Sequence, residues 1–344
     1  MQSQMDELQS FGYRFLGPII TSFFDEIEKK KTGNELFFLA REGYHLESLY
    51  KYYCGLLGKS YETKYLLCSR VFLFKLCLTD KNLIPLTLGH HFKGSLESLL
   101  IRRYGFSGTQ INKVKKDLKN SDKLLATEIS LPSRQDIAVK AIFDVSRLFI
   151  NELESKKKLY LKYLDSIGFN SDNKSVVDIG FSGTIQKLLS KITNKKTIGH
   201  YMVTTVNAKN SAECTFHGHF SSGQKFGNGY PLLDKSLYLE SLLTAPHGQV
   251  NDIFGSDDGY RFGYSTKTKA QHEFYLIDQV VEGIRSYMDD TLESGLQLTK
   301  EYVPEYFASI VKRPQFIPEG LRNILEVDDH ISGFGVLNPI KVFG

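Results

Sequence analysis

Hydrophobic positions along the chain change between helical spacing and short continuous apolar runs. Residues 9–30 place apolar side chains at helical spacing until Gly33 ends the pattern, which predicts one amphipathic helix. The following run, ELFFLA at residues 35–40, is continuously apolar, as is typical of a strand that is buried on both faces. Because the polar residues Arg41 and Glu42 follow, we expect that strand to end in a turn, after which HLESLYKYYCGLL returns to helical spacing.

A second strand is predicted in KYLLCSRVFLF, residues 64–74, although the apolar run through Cys77 fits a helix equally well. Farther along, SVVDIG (175–180) predicts a buried strand, SGTIQKLLSKI (182–192) a helix that begins with a hydroxyl cap, and TIGHYMVTTV (197–206) another strand. Strand, helix and strand within about 30 residues form a βαβ unit, which implies a parallel sheet with helices on its faces. We expect ELFFLA to join that sheet.

From about residue 92 to residue 168 the pattern is helical throughout, with interruptions at Gly105, the Leu131-Pro132 boundary and Gly168. This stretch predicts a sizeable helical insertion or lobe within a single domain that spans residues 1–344. The predicted fold class is therefore α/β, with a parallel-type sheet built from βαβ units and this helical insertion.

Composition narrows the class of function. Of the 344 residues, 41% are hydrophobic and 24% are charged, which indicates a globular chain. A net charge of only +4, without a long basic stripe, argues against nucleic acid as the main partner. Four cysteines without C-x-x-C spacing favour a reducing compartment. Because no leader and no run of about 18 apolar residues is present, we expect a cytoplasmic protein, with peripheral attachment to the inner membrane left open.

The segment VVDIGFSGTIQ carries the strongest chemical pattern. An apolar strand leads to Asp178, and the small residues Gly180, Ser182, Gly183 and Thr184 form a turn into a helix. Free N–H groups at a helix N-terminus bind phosphate, and a carboxylate at the strand end suits ribose hydroxyls or a transferred proton. The alternative is that the hydroxyls only cap the helix and the glycines only permit the turn.

The five letters GFSGT of that segment also occur earlier, within GFSGTQ at residues 105–110, but there they follow a helical pattern instead of a strand. This copy predicts a helix stop and the cap of the next helix, without a function.

Further charged residues lie at strand ends or on apolar faces. Arg41 beside Glu42 suits an anionic, hydroxylated ligand, and a surface ion pair is the alternative. Arg70, set in an apolar run, predicts a fixed anionic partner, either a protein carboxylate or a ligand phosphate. Glu240 lies on the apolar side of a short helical pattern with His247 in the turn that follows, although a capping carboxylate and a loop histidine are equally ordinary. We predict no zinc site, since the histidine pairs lack a third ligand at metal-like spacing.

Taken in order, YRFLGPIITSFF, LAREGYHL, the Ser-Arg pair at 69–70, VVDIGFSGTIQ and LESLLTAPHG resemble the glycan phosphoribosyltransferases of bacterial polysaccharide and O-antigen assembly, over roughly residues 11–290. The resemblance implies transfer of 5-phosphoribose from phosphoribosyl diphosphate to a sugar hydroxyl of a lipid-linked glycan. A phosphatase then removes the 5-phosphate. The F-D-x-F-D-T motif of the haloacid-dehalogenase-type phosphatase, often fused to this domain, is absent here, so that step is expected of a separate protein.

The resemblance implies a substrate-binding set drawn from both turns: Arg41, Gly43, Arg70, Gly180, Ser182, Gly183, Thr184, Gln186 and His247. In it the Ser-Gly-Thr turn holds the 5-phosphate, and the two arginines hold the diphosphate and stabilise it as it leaves, assisted by the histidine. Magnesium commonly accompanies a diphosphate donor, but no D-D or D-x-D pair lies convincingly in the predicted site.

The acceptor hydroxyl is expected to attack C1 with inversion, helped by a carboxylate base. Asp178 is the first candidate, with Glu240 and Glu42 as the others. The family's turn usually reads A-R-D-G, and the longer Glu42 in this chain puts its use as the base in doubt.

Two other functions stay open. The strand and glycine turn at VVDIGFSGT also begin a Rossmann-type S-adenosylmethionine-dependent methyltransferase, but the next predicted strand ends in Val206-Asn207 without an acidic residue. The second alternative is a non-catalytic glycan-binding scaffold of a polysaccharide assembly complex, against which Arg41, Asp178, Ser182 and Thr184 at the matching motif positions argue.

Overall fold

The computed structural model describes residues 2–257, 259–329 and 335–343. The strands are, in chain order, β1 (Glu35–Leu39), β2 (Glu62–Leu66), β3 (Phe92–Ser95), β4 (Glu128–Leu131), β5 (Lys174–Asp178), β6 (Thr197–Thr205), β7 (Cys214–Gln224), β8 (Val250–Ser256), β9 (Gly259–Tyr264), β10 (Val327–Asp329) and β11 (Gly335–Leu337).

The α-helices are α1 (Gln2–Phe11), α2 (Gly17–Lys30), α3 (Gly43–Leu56), α4 (Arg70–Cys77), α5 (Leu96–Tyr104), α6 (Gly108–Asp117), α7 (Ser121–Leu125), α8 (Gln135–Ser146), α9 (Ile150–Ser166), α10 (Thr184–Thr193), α11 (Pro231–Asp234), α12 (Leu237–Leu242), α13 (Lys269–His272), α14 (Phe274–Leu292), α15 (Val303–Val311), α16 (Glu319–Arg322) and α17 (Pro339–Phe343). A π-helical segment spans Gly12–Leu16, and short 3₁₀ helices span Ile84–Leu88, Arg147–Phe149 and Pro314–Phe316.

Five parallel strands form the central sheet, in the order β2-β1-β5-β6-β7. The predicted βαβ unit is confirmed as β5, α10 and β6, and ELFFLA joins the sheet as β1, where Leu36 lies opposite Ser175. The second predicted strand, at residues 64–74, is the end of a strand followed by the beginning of a helix. Its strand, β2, ends at Leu66, and Ser69 then caps α4 by accepting a hydrogen bond from the Phe72 N–H at 3.0 Å.

The central strands β1 and β5 are buried on both faces, which is why each contains a short continuous apolar run. Leu36 and Phe38 of β1 pack into one core with helices α1, α2, α3, α14 and α15. Phe37 and Leu39 point to the opposite face and pack with α4, α5, α8, α9 and α10. The α/β fold class with a parallel sheet, predicted from such runs, is therefore confirmed.

The region from 92 to 168 contains helices α5 to α9, but the prediction that it is helical throughout was wrong. Strands β3 and β4 pair antiparallel within it, with Phe92 opposite Leu131. Each strand has four residues, which is too short for a two-residue period to emerge from the surrounding helical pattern. Apolar residues of this region share a core with Phe37 and Val176, so the helices pack directly on the sheet.

The N-terminal helix ends at Lys30, as predicted, and extends back through the π-helical segment to α1. It lies very close to α14. A Cβ placed on Gly12 would be 1.9 Å from the Val280 carbonyl oxygen, and one on Gly283 would be 2.0 Å from the Gln9 carbonyl oxygen. Glycine is therefore required where the two helices meet.

Within the described residues, every helix is too short or too polar to span a lipid bilayer. The four cysteines are free thiols, and all four are buried.

Candidate functional site

The direction of the sheet connections reverses between β1 and β5. The chain runs from β1 outward to β2 on one side, whereas β5, β6 and β7 succeed one another on the other side. In parallel α/β sheets such a reversal opens a crevice beyond the carboxyl ends of the strands, where ligands bind. Arg41 and Glu42 follow β1, Arg70 follows β2, and Asp178 is the last residue of β5, so all four lie towards this edge.

Three carboxyl groups lie within electrostatic reach of one another at this edge. Burial raises the pKa of Asp178 well above its ordinary value, and the charges of Glu42 and Glu240 raise it further. The Ile179 N–H opposes this shift by donating a hydrogen bond to Asp178 Oδ1 at 2.8 Å.

Glu240 comes from α12, about sixty residues farther along the chain than Asp178, and joins the same cluster. Burial raises the pKa of Glu240 to about 7, and the negative charge of Glu42 adds to the shift. The Ser236 hydroxyl donates a hydrogen bond to Glu240 Oε1 at 3.0 Å and lowers that pKa in part. Burial and the nearby negative charge therefore favour the protonated forms of Asp178 and Glu240.

Two arginines accompany the carboxyl groups. The positive charges of Arg70 and Arg41 both lower the pKa of Glu240, and Arg70 also lowers that of Asp178. Both guanidinium groups are half-buried. In the described part of the chain, neither is hydrogen-bonded or ion-paired through its side chain, so the alternative of an ion pair between Arg41 and Glu42 is not what forms. Guanidinium groups without a protein partner can bind a phosphate group through bidentate hydrogen bonds.

The Ser-Gly-Thr turn after β5 differs from its prediction. Helix α10 begins after Gly183, which has a φ of 62°, and no side chain caps it. The predicted hydroxyl cap was wrong because Ser182 Oγ is hydrogen-bonded to Thr205 Oγ1 at the end of β6, at 3.1 Å, and Thr184 is itself the first helical residue. The N–H groups of the first turn are thus free of a side-chain cap, as binding of an anion there requires.

The earlier copy of the string behaves as predicted. Gly105 ends α5 in the left-handed conformation, with a φ of 63°. Ser107 Oγ accepts a hydrogen bond from the Gln110 N–H at 3.2 Å, and the Ser107 N–H donates to Gln110 Oε1 at 3.1 Å. A hydroxyl cap was also the alternative interpretation of the later copy, but the cap forms only where the string follows a helix.

His247 lies close to the same cluster, but both of its ring nitrogens are engaged. Nδ1 donates to the Gly248 carbonyl oxygen at 2.8 Å, which leaves Nε2 to accept from the Tyr65 hydroxyl at 3.0 Å. Burial lowers the pKa of His247, and the charge of Arg41 lowers it too. His247 is therefore a neutral residue at the side of the site, next to Tyr65. The centroid of its imidazole ring is 4.5 Å from that of the Tyr264 ring.

Gln186 and Gly43, which were expected to bind substrate, have structural roles instead. Gln186 is fully buried, and its Nε2 donates to the carbonyl oxygens of Thr197 and Thr215 while its Oε1 accepts from the Tyr201 hydroxyl. Two helical positions rotate a side chain by about 200°, so Gln186 points away from the turn that holds Thr184.

Gly43 allows helix α3 to begin against β1. A Cβ at this position would be 2.6 Å from the Phe38 carbonyl carbon. Gly180 and Gly183 are constrained likewise, because their added Cβ atoms would be 3.0 Å from the Val203 carbonyl oxygen and 2.2 Å from Phe216 Cε1. These glycines shape the turns, and no ligand needs to be invoked for them.

Sequence reasoning missed several residues that hold the site together. Ser236 lies four positions before Glu240, a spacing that predicts the contact on a helix. Tyr65 and Thr205 are polar residues near strand ends, but their partners come from distant segments, so no local pattern identifies them.

No group of three or more His, Cys, Asp or Glu side chains in the described ranges is arranged to hold a metal ion. His200 Nδ1 and His219 Nε2 are 3.1 Å apart in the sheet and form a buried hydrogen-bonded pair instead. In comparisons with known proteins, no family model matches this chain and no curated protein matches it significantly.

Proposed function

We propose that this protein is a glycosyltransferase that moves 5-phosphoribose from phosphoribosyl diphosphate to a sugar hydroxyl of a bacterial surface polysaccharide. The observation that carries the proposal is that one edge of the sheet brings together three carboxyl groups, two arginines without a side-chain partner among the described residues, and a helix N-terminus without a side-chain cap. A donor with a phosphate at one end, a diphosphate at the other and ribose hydroxyls between them has the chemistry that matches these three features.

In this proposal the turn at Ser182 and Thr184 binds the 5-phosphate, and Arg41 and Arg70 bind the diphosphate. The acceptor hydroxyl oxygen forms a bond to C1 of the ribose while the bond from C1 to the diphosphate oxygen breaks. The hydroxyl proton passes to a carboxylate, and the diphosphate leaves with the electron pair. The arginines stabilise the charge that develops on the leaving group, and the configuration at C1 inverts.

Of the three carboxyl groups, Glu240 suits the base best. A general base has to be ionised at the working pH and is most effective with a pKa near that pH. The pKa of Glu240 is about 7, whereas burial and the charge of Glu42 raise the pKa of Asp178 well above its ordinary value. We therefore place Glu240 ahead of Asp178, which can donate a hydrogen bond to a ribose hydroxyl, with the charge of Glu42 sustaining both shifts.

The ranking of the bases is tested by the pH profile of turnover. Replacing Glu240 by Gln should lower kcat by about 10²- to 10⁴-fold and remove the acidic limb of the profile. Replacing Asp178 by Asn keeps a hydrogen-bond donor at that position, so it should lower kcat much less. The opposite ranking would assign the base to Asp178.

The resemblance to glycan phosphoribosyltransferases also supports a proposal for the acceptor, the cellular location and a partner enzyme. The acceptor would be a lipid-linked glycan, so we place the protein in the cytoplasm at the inner membrane surface. A separate haloacid-dehalogenase-type phosphatase would remove the 5-phosphate. The described residues offer no cluster fit to hold Mg²⁺ by themselves, so any magnesium would arrive on the diphosphate of the donor, and no step above depends on it.

Methyl transfer gains no support from the strand ends. In the sheet β6 follows β5, and it ends at Thr205 before Val206 and Asn207, so no carboxylate stands where the ribose of S-adenosylmethionine would need one. A non-catalytic scaffold would have no use for carboxyl groups that are buried together, because burial disfavours their charged forms and so costs folding free energy at neutral pH.

The deciding experiment compares ligands on the purified protein. Phosphoribosyl diphosphate, with and without magnesium, should raise the melting temperature and release diphosphate slowly, whereas S-adenosylmethionine should do neither. A ligand at 100 times its Kd stabilises the folded state by about 2.7 kcal/mol, which a thermal scan resolves. Stabilisation by S-adenosylmethionine alone would overturn the proposal.

Two variants and a matched control sharpen this comparison. Arg41→Ala should abolish the shift with phosphoribosyl diphosphate, and Asp178→Asn should retain binding. Arg102→Ala removes the same charge from an exposed position on α5 and should behave as the wild type.

A further inference from the structure

Four side-chain rings form a connected series beside the candidate site, and we call it the aromatic row: Tyr44, Tyr65, His247 and Tyr264. The ring centroids of Tyr44 and Tyr65 are 5.6 Å apart, and those of Tyr65 and His247 are 5.9 Å apart. The series ends at Tyr264, 4.5 Å from His247. The four rings come from α3, β2, the turn before β8, and β9, so only the fold brings them together.

The aromatic row lies at the carboxyl edge of the sheet, next to the turn after β1. Tyr44 belongs to the same turn as Arg41 and Glu42, since its N–H donates a hydrogen bond to the Arg41 carbonyl oxygen at 3.0 Å. Tyr65 is the last residue but one of β2 and lies opposite Phe38 of β1. Because β1 and β2 are parallel neighbours, Tyr44 and Tyr65 are at the edge where ligands bind to such sheets.

Hydrogen bonds hold the inner part of the row in place. The Tyr65 hydroxyl donates to His247 Nε2 at 3.0 Å, and Gln271 Nε2 donates to the His247 carbonyl oxygen at 2.7 Å. Tyr264 is the last residue of β9 and is paired with Val250 of β8. The row is therefore a preformed surface, and a ligand that binds to it pays little for ordering the protein.

The two ends of the row are open to solvent. Tyr44 is 38% exposed and Tyr264 is 40% exposed, whereas Tyr65 and His247 between them are half-buried. In the described ranges, neither the Tyr44 hydroxyl nor the Tyr264 hydroxyl has a hydrogen-bond partner. Each end thus offers a ring surface and an available hydroxyl group to a molecule bound at this edge of the sheet.

A sugar ring has the surface that fits such an end. One face of a pyranose carries several C–H groups, which pack on the negatively polarised face of an aromatic ring. The sugar hydroxyl groups can exchange hydrogen bonds with the phenol hydroxyl at the edge of that ring. A phosphate gains little from the face of the ring, because that face is negative, so the row complements the neighbouring arginines instead of duplicating them.

The row and Arg70 also belong to helices on different faces of the sheet. Tyr44 is on α3, whose buried residues pack with Phe38 on one face. Arg70 begins α4, whose buried residues pack with Leu39 on the opposite face. In an inverting transfer the acceptor and the leaving group occupy opposite sides of C1, and this arrangement fits that requirement.

We propose that Tyr44 and Tyr264, the exposed ends of the aromatic row, bind the acceptor glycan by stacking against its sugar rings. The inference deepens the proposed function and rests on it for the role of the bound sugar as the acceptor. Binding of the sugar itself requires no donor, so it can be measured independently.

Nuclear magnetic resonance on the full chain tests the row with four defined sugars. The probes are the methyl glycopyranosides of glucose, galactose, mannose and N-acetylglucosamine, each added without a donor. When the aromatic protons of the protein are saturated, the saturation should reach the C–H protons on one face of at least one of these sugars. Absence of transfer to all four sugars overturns the proposal.

Variants then locate the binding. Tyr44→Ala and Tyr264→Ala should each weaken the binding of that sugar about tenfold or more, whereas Tyr264→Phe keeps the ring and should weaken it only about threefold. Both residues are at the surface, so the alanine variants should fold, which circular dichroism checks. Tyr302→Ala is the matched control, because it removes a 65% exposed tyrosine outside the row, and it should bind as the wild type does. Sugar binding that is indifferent to both alanine variants overturns the proposal.

Turnover with phosphoribosyl diphosphate tests the role of the bound sugar. With the sugar that binds best as the acceptor, both alanine variants should raise the KM for the sugar about tenfold or more. They should change the KM for phosphoribosyl diphosphate less than about twofold. An equal rise in both KM values would show a disturbed donor site and overturn the assignment of the row to the acceptor.

The two proposals can fail separately. Tyrosine-dependent sugar binding by a protein that does not turn over phosphoribosyl diphosphate would retain the sugar site and reject the proposed transferase. Turnover of phosphoribosyl diphosphate with a KM for the sugar that neither alanine variant alters would do the reverse.

Discussion

Replacing Glu240 by Gln should make the protein more stable at alkaline pH and leave it almost unchanged at acidic pH. In the folded protein the pKa of this carboxyl is about 7, compared with an ordinary value of 4.5. An unfolded chain therefore releases the proton at a lower pH than the folded protein does. As the pH rises from about 4.5 to about 7, the wild type loses stability through this group, whereas glutamine has no proton to lose.

The size of the effect follows from the difference in pKa. A difference of about 2.5 corresponds to about 3.4 kcal/mol in the free energy of unfolding. Because Glu240 keeps some exposed surface, we expect about 2 kcal/mol between pH 4.5 and pH 8. Removing its charge also relieves Asp178, which acts in the same direction. Glutamine can still accept the hydrogen bond from Ser236, so the two proteins should be alike at low pH.

Urea unfolding followed by circular dichroism at several pH values measures this difference directly. The free energy of unfolding of Glu240→Gln, minus that of the wild type, should rise steadily with pH. Glu154→Gln, on the exposed face of α9, serves as the matched control and should shift stability by less than about 0.5 kcal/mol at each pH. A difference that stays constant with pH, or falls, would refute the placement of Glu240 in a buried acidic cluster.

The remaining predictions concern the glycines and the repeated string, and denaturant unfolding checks each of them. Ser107→Ala should cost about 1 kcal/mol because it removes a capping box. Ser182 caps no helix, so Ser182→Ala should cost only about 0.5 kcal/mol, through the lost hydrogen bond to Thr205, while it weakens ribose 5-phosphate binding. Gly183→Ala should cost about 3 kcal/mol, since the added methyl meets the Phe216 ring at 2.2 Å in a left-handed conformation. Gly12→Ala should cost about 2 kcal/mol because the added methyl forces α14 away from the N-terminal helix. Full stability of Gly183→Ala or of Gly12→Ala would contradict the packing described at that glycine.

The central strands of the sheet could be predicted because each has a recognisable local sequence pattern. Runs such as ELFFL and SVVD are too short and too continuously apolar for an amphipathic helix, and polar turns bound them. The convergence of Arg41 with Asp178 followed from the general rule for parallel strand ends. The order of strands and the place of β7 could not be read in this way, since both depend on contacts between distant segments.

The site was harder to predict in its details. Glu240 was a candidate by its apolar surroundings, but its proximity to Asp178 depends on how α12 returns to the sheet edge. Gln186 was misassigned because its side chain follows the helix towards the sheet interior.

The repeated string Gly-Phe-Ser-Gly-Thr has a consequence for how motifs of this kind are searched. A pattern scan of this chain returns two hits of equal score, and one of them is an ordinary junction between helices. What separates the hits is the stretch before each one, an apolar strand that ends in Asp178 or a helix that ends in Tyr104. A useful search pattern for this turn should therefore include the preceding strand, because the five shared letters carry no information about which copy lies at the edge of the sheet.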